Sequence, residues 1–302
     1  MILSCSKPAY LIGLALRRQQ LTLVKVKKYK EQHSVLGFES LPLPADFIVE
    51  GKIKQPEKVT HLIRQLIQMT GSEGFYAAIS LPSAYVLHKR ITLPNYLTDR
   101  ECEAEIETRI SHYLPGINEE LYFDYVRSIS SEENVLLVAA RKEQITSFVH
   151  AVEKAKLKVR IVDVDIYALH RAIQLISSAP IQAVLDMDGM VGQFIIWQKN
   201  KIIFTYAIFL NSDENFLQQM ERLLQLFNTT TNVPWDKTIL LSGNVISILP
   251  LVKVIEDKLQ LKIEISNPFI AGTHSVENKK LYHVAPELIV AFGLTLRKYP
   301  TW

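Results

Sequence analysis

The sequence predicts an α/β chain of two similar halves. Each half is a mixed sheet flanked by helices, and a small α+β unit is inserted into the first. Three observations predict this. The order strand, turn, strand, strand, helix occurs over residues 10–70 and again over 183–228. A block at 83–160 carries its own strands and helix between the two copies. The polar run Ser177, Ser178, Ala179 and Pro180 separates the halves, and clusters of such residues between periodic segments are loops. The expected division is 1–82 for the start of the first unit, 83–160 for the insertion and 161–180 for the return to the first unit. Residues 181–284 form the second unit, and 285–302 a closing helix that packs on the first.

Residues 10–16 read as a buried strand, 17–20 as a polar turn and 21–26 as a returning strand. Period-two alternation across so short an interval predicts a hairpin. A third strand at 34–41 is closed by Pro42 and Pro44. Val59, Leu62, Ile63, Leu66 and Ile67 share one face of a helix over 57–69. Gly71 and Gly74 end that helix, and 75–81 is a strand.

Within the insertion, 85–93 alternates like a half-buried strand. Thr98 and Glu101 form a capping-box pair that opens a helix through His112, stopped near Pro115. Strands are expected at 121–128 and 135–140. A helix at 142–156 shows the apolar face Ile145, Phe148, Val149 and Val152. A strand at 158–164 and a helix at 166–176 close the first half.

The second half opens with a buried strand at 183–186 and a glycine-bearing turn at 187–191. Strands at 192–198 and 201–208, a helix at 216–228 and a strand at 237–241 follow. Ser242, Gly243 and Asn244 end that last strand. A helix over 246–259 contains Pro250, an awkward residue in a helix interior. A strand at 261–265 precedes the closing helix at 285–297, where Pro286 suits a first turn.

Composition excludes several classes. Of 302 residues, 48% are hydrophobic and 22% charged, which supports folded cores and rules out disorder, collagen and a repeat solenoid. The net charge of +3 is too small and too dispersed to argue for nucleic acid. Cys5 and Cys102 form neither a disulfide framework nor a metal motif, and the eight histidines show no ligand spacing. No secretory leader is expected at the N-terminus, since Leu3, Ser4 and Cys5 lack a preceding apolar run. No stretch approaches the roughly 18 apolar residues of a membrane span. A reducing cytoplasm is the expected compartment.

Glycine is scarce, at 11 residues. Phosphate-cradling turns use glycine because a residue without Cβ lets the backbone close on an anion. Gly189 and Gly192 lie at the second hairpin and Gly243 at a later loop, whereas the first turn, 17–20, has none. Two hairpin turns facing one cleft present backbone amides suited to clamping a polyphosphate. Two ordinary α+β units with plain hairpins satisfy the same pattern.

Several segments, in order along the chain, carry a family resemblance. They are the hairpin at 10–26, the turn Ile48 to Lys54, the pieces 79–82 and 89–94, and the helix ending in Tyr113, Leu114 and Pro115. The strands at 121–125 and 136–142, Leu185 to Gly189, Leu240 to Asn244, Asn267 to Phe269 and the helix from Ala285 complete them. In that order and spacing the sequence resembles PilM-type proteins of type IV pilus and competence machines. These are relatives of FtsA within the actin-like ATPase superfamily. The resemblance implies an actin-like two-domain fold with an FtsA/PilM-like insertion.

It also implies a cleft for ATP with magnesium. The residues at the implied nucleotide positions are Arg17, Arg18, Gln19, Asp186, Asp188, Gly189, Gly243 and Asn244. The chain departs from the family pattern here. Ala15, Arg17, Arg18, Gln19 and Gln20 stand where an acidic residue, a glycine and small hydroxyls are usual, and Thr22 replaces a lysine. Asp188 stands where a glycine is expected. Asn244 replaces another, at a position where asparagine tolerates left-handed backbone. Any magnesium would be held through Asp186. Arg17 either offers a guanidinium fork to a phosphate or merely solvates a turn. ATP binding stays open on this reading, and turnover is not expected, because the magnesium carboxylate of the first loop is missing.

The function implied by the resemblance is a cytoplasmic scaffold at the inner membrane. It would bind the N-terminal cytoplasmic tail of a bitopic PilN-like protein and link it to the cytoplasmic motor ATPases. Tyr85, Leu93, Tyr113 and Leu114 are the expected lining of the tail groove, and each also reads as ordinary core. Self-association through the insertion is a further implication. The alternatives are an active actin-like ATPase, the cytoplasmic platform component of a type II secretion system, and an FtsA-like division protein. The last should carry an amphipathic C-terminal helix, for which 298–302 is too short.

Overall fold

The computed structural model describes residues 9–29, 32–127, 134–231, 233–269 and 279–297. Cys5 and the tail at 298–302 lie outside the described residues. The first five-stranded sheet has the order β10-β6-β1-β2-β3. It contains β1 (Ala9–Leu16), β2 (Gln20–Tyr29) and β3 (Gln32–Pro42) as an antiparallel meander. β6 (Tyr76–Leu81) and β10 (Lys158–Val164) join it in parallel. A two-residue ribbon, β4 (Ile48–Val49) with β5 (Lys52–Ile53), precedes helix α1 (Pro56–Thr70). That helix opens on a proline and ends on Gly71, whose φ of 60° closes it with a left-handed cap.

The second sheet repeats the plan, with order β13-β12-β11-β14-β15. Its strands are β11 (Ile181–Asp188), β12 (Val191–Gln198), β13 (Lys201–Phe209), β14 (Thr238–Gly243) and β15 (Lys262–Ile265). The predicted duplication is therefore present strand for strand. The insertion has its own three-stranded antiparallel sheet, β7-β9-β8, from β7 (Val86–Ile91), β8 (Leu121–Arg127) and β9 (Val135–Arg141). It is covered on one face by α2 (Asp99–Tyr113), whose start carries the predicted capping box between Thr98 and Glu101. Helix α3 (Lys142–Lys154) instead buries Phe148, Ala151 and Val152 in the first unit's core.

One apolar core runs through the first sheet, α1, α3, α4 (Asp165–Ile173) and the closing helix α7 (Lys279–Thr295). It continues onto one face of the second sheet through Val184, Ile195, Trp197 and Leu240. The other face of that sheet packs on α5 (Asp213–Thr231) and α6 (Val252–Leu259). The two halves thus share packing at their base. His170 on α4 stacks flat on the fully buried Trp197 of β12, with ring centroids 4.9 Å apart. Helix α7 is seated so closely that a Cβ on Gly13 would strike the Ala291 carbonyl, and one on Gly293 the Ala168 carbonyl.

Three local expectations are corrected. Pro286 lies inside α7, which starts at least by Lys279, rather than in its first turn. The expected helix at 246–259 is split: Pro250 falls in a single 3-10 turn, Leu249–Leu251, and the α-helix begins only at Val252. Tyr85 belongs to another 3-10 turn, Ser83–Tyr85, and not to the strand that follows.

Candidate functional site

Alternation along β11 decides what faces the cleft. Val184 points toward the first unit's core while Leu185 and Met187 pack beneath the sheet. Asp186 and Asp188 fall on the same side as Val184. Opposite them, β1 ends at Leu16 and the tight turn places Arg17 and Arg18 over the same cleft. The Arg17 N–H donates to the Gln20 carbonyl at 2.9 Å, closing that turn. Neither Arg18 nor Gln19 has a positive φ, so this hairpin needs no glycine. The second hairpin does: Gly189 has φ 67°.

The two turns meet each other. Arg17 Nη2 lies 2.9 Å from an Asp186 carboxylate oxygen and donates to the Met187 carbonyl at 3.2 Å. Its Nε lies 3.8 Å from Asp188. The backbone N–H of Arg18 donates to the Asp188 carboxylate at 2.7 Å. A Cβ on Gly189 would run into the Gln19 side chain. The other oxygen of Asp186 accepts from the Ser242 hydroxyl at 2.8 Å. Arg17 is only 5% exposed. Burial works against its charge, but Asp186, Asp188 and Asp165 outweigh that and hold it protonated.

Asp165, at the start of α4, completes the cluster and has no motif around it in the sequence. Its carboxylate accepts the N–H groups of Ser83 at 2.9 Å and Ile166 at 2.6 Å. Burial pushes its pKa up to about 7, Arg17 opposes the rise and Asp186 adds to it. Ser83 in turn donates through its hydroxyl to Gln193 of β12 at 3.2 Å. The only advance signal was one acidic residue at a strand-to-helix junction, which ordinarily reads as a helix start.

All five predicted residues of the two turns, Arg17, Arg18, Gln19, Asp186 and Asp188, are therefore brought together with Gly189, but onto one another. Magnesium and a polyphosphate do not fit the site as arranged. Both Asp186 oxygens are engaged, the first turn supplies no carboxylate, and Asp188 caps Arg18. No cluster of metal-ligating side chains occurs among the described residues. In the later loop, Gly243 has φ 78° and a Cβ there would strike the Met187 carbonyl. Asn244 takes no left-handed conformation. Its N–H donates to that same carbonyl at 2.9 Å.

Beside this cluster opens a cavity of about 1320 Å³, bounded by both hairpins, the insertion and β13. The register of the inserted sheet puts Arg90, Leu136 and Val126 side by side on the face away from α2, and all three line the cavity. Val126 is 64% exposed. Across the gap, Lys201, Ile202 and the consecutive Thr205, Tyr206 and Ala207 line it. Consecutive residues show that β13 presents its edge, and its only ladder partner among the described residues is β12.

The predicted groove residues occupy other places. Leu93 and Leu114 are buried in the insertion's small core with Cys102 and Ile106. The Leu93 backbone is pinned by Asn134, which accepts its N–H at 2.9 Å. Tyr113 packs half-buried on the same core. Tyr85 turns toward Gly51, where a Cβ would come within 2.8 Å of its ring. Strand alternation identified two faces of the inserted sheet, but not which of them α2 covers.

A family model described as "Type IV pilus assembly protein PilM" matches residues 13–208 and 205–299. The chain belongs to the PilM family. Among solved structures it is similar to a "PilM-PilN type IV pilus biogenesis complex", with TM-score 0.78 and 20% identity over 96% of this chain and 99% of that one. A Bacteroides thetaiotaomicron protein of unknown function with an actin-like ATPase fold matches with TM-score 0.53 and 10% identity, over 98% and 100% of the two chains. The cytoplasmic domain of EpsL, an inner-membrane component of the Vibrio cholerae type II secretion system, matches with TM-score 0.51 and 10% identity, over 96% and 97%. These likenesses show that the PilM-family chain has the actin-like fold. No helix among the described residues is long and apolar enough to cross a membrane.

Proposed function

We propose that this PilM-family chain is a scaffold of a type IV pilus or competence-pseudopilus assembly machine. It receives the N-terminal cytoplasmic tail of a bitopic PilN-like partner, which holds it at the cytoplasmic face of the inner membrane. The cavity between the inserted sheet and the β13 edge carries this reading. Its apolar wall of Leu136, Val126 and Ile202, its cationic rim of Arg18, Arg90 and Lys201, and the adjoining strand edge suit an extended segment. Such a segment gains affinity from main-chain bonds and specificity from side-chain pockets. The division into two units and an insertion belongs to the same proposal, with the insertion supplying one wall.

In this role the chain acts by binding and not by turnover, and magnesium-dependent ATP hydrolysis is not expected. Contact with motor ATPases and self-association through the insertion are further parts of the scaffold reading. Titration of a synthetic partner tail into the purified chain tests it. Saturable binding that Leu136→Asp weakens supports the reading, and a tail that binds the variant as well as the wild type removes the cavity from the site.

A further inference from the structure

The geometry points to Arg17 as a protein-built clasp that links the two halves in place of a bound polyphosphate, so that this chain holds its closed arrangement without nucleotide. Three observations carry this. First, the guanidinium belongs to the first hairpin, and the groups it hydrogen-bonds or pairs with at close range belong to the second: Asp186 at 2.9 Å, Asp188 at 3.8 Å and the Met187 carbonyl at 3.2 Å. A charged fork binding two carboxylates and a carbonyl gives direction as well as attraction. Second, the backbone repeats the link, through the Arg18 N–H on Asp188 and the Gly189 turn against Gln19. Third, both oxygens of Asp186, the carboxylate that would hold magnesium, are engaged within the clasp, one by Arg17 and the other by Ser242.

The rest of the fold is consistent with a static closure. The halves are also packed at their base, where His170 of α4 lies on Trp197 of β12. Gln20, at the first hairpin, donates to Glu287 of α7 at 2.8 Å, tying the clasp to the closing helix. The two halves are thus held together at the hairpins as well as at their base.

Hydrogen exchange on the 302-residue chain tests it. Amides at both turns, around residues 17–20 and 187–191, should be protected in nucleotide-free protein, and millimolar Mg-ATP should leave their exchange and the melting temperature unchanged. Arg17→Ala should speed exchange at both turns together by about tenfold or more, since one side chain holds both. Arg17→Lys keeps the charge without the fork and should fall between the two; it also serves if the alanine variant fails to fold. Added protection of the wild-type turns by Mg-ATP would overturn the clasp. So would variants whose second hairpin exchanges at the wild-type rate.

Discussion

The Arg17 guanidinium stands 2.9 Å from the Asp186 carboxylate, joining the first hairpin of one sheet to the second sheet's opening strand. Both side chains are largely buried, at 5% and 9% exposure. A buried pair adds little over a hydrophobic replacement, but removing one partner strands the other charge, at about 3–5 kcal/mol. Asp186 borders the cavity and regains some water, so Arg17→Ala should destabilise the chain by about 3 kcal/mol, read by denaturant unfolding. The double variant Arg17→Ala with Asp186→Ala should lose less than the sum of the singles.

Asp165 predicts a pH dependence. Its pKa is about 7 in the folded chain against 3.8 as the ordinary value. Between those values the folded state keeps a proton that the unfolded state gives up, so this group's contribution falls as pH rises through that window. Above about pH 7 the full penalty remains. Asp165→Asn retains an acceptor oxygen for Ser83 and Ile166 and removes the charge. Its melting temperature relative to wild type should therefore climb from about pH 5 to about pH 8. A gap that stays flat or narrows over that range would contradict the assignment.

Much of this fold was legible in the sequence, and particular residues show why. The two hairpins, the helix face from Val59 to Ile67 and the Thr98–Glu101 capping box rest on local periodicity and local hydrogen bonds. Each of them appears where the pattern places it. The site was less legible because it is made between distant segments. Arg17 and Asp186 each stand at a hairpin position that the sequence marks, but nothing local says that one neutralises the other. Asp165 has no motif around it. Leu93 and Leu114 read equally as groove or core, and the choice depends on which face of a three-stranded sheet α2 covers.

The closing helix predicts a packing defect. Gly13→Ala would drive a methyl into the Ala291 carbonyl, a backbone atom that cannot swing aside. Overpacking of this kind costs about 1–3 kcal/mol or more. The loss should appear as a lower melting temperature. A Gly71→Ala substitution is the contrast. Its Cβ has open space, with only the Lys25 ammonium at 4.0 Å, so its effect is limited to the strain of φ 60°.

The insertion separates core from wall. Leu93→Ala should destabilise by about 2–5 kcal/mol, because that side chain is 3% exposed inside the small core. Leu136→Asp should lower melting less than Leu93→Ala, since Leu136 is only partly buried and lies on the cavity side, yet weaken tail binding by about thirtyfold, the scale of a binding hot spot. Equal effects of the two variants on binding and stability would place Leu136 in the core instead.

Calorimetric titration of the partner tail into nucleotide-free chain, repeated with millimolar Mg-ATP, tests the central claim most directly. A closed scaffold with its own clasp should bind the tail in both cases with the same Kd and with no phosphate release. Binding that appears only after Mg-ATP is added would contradict it.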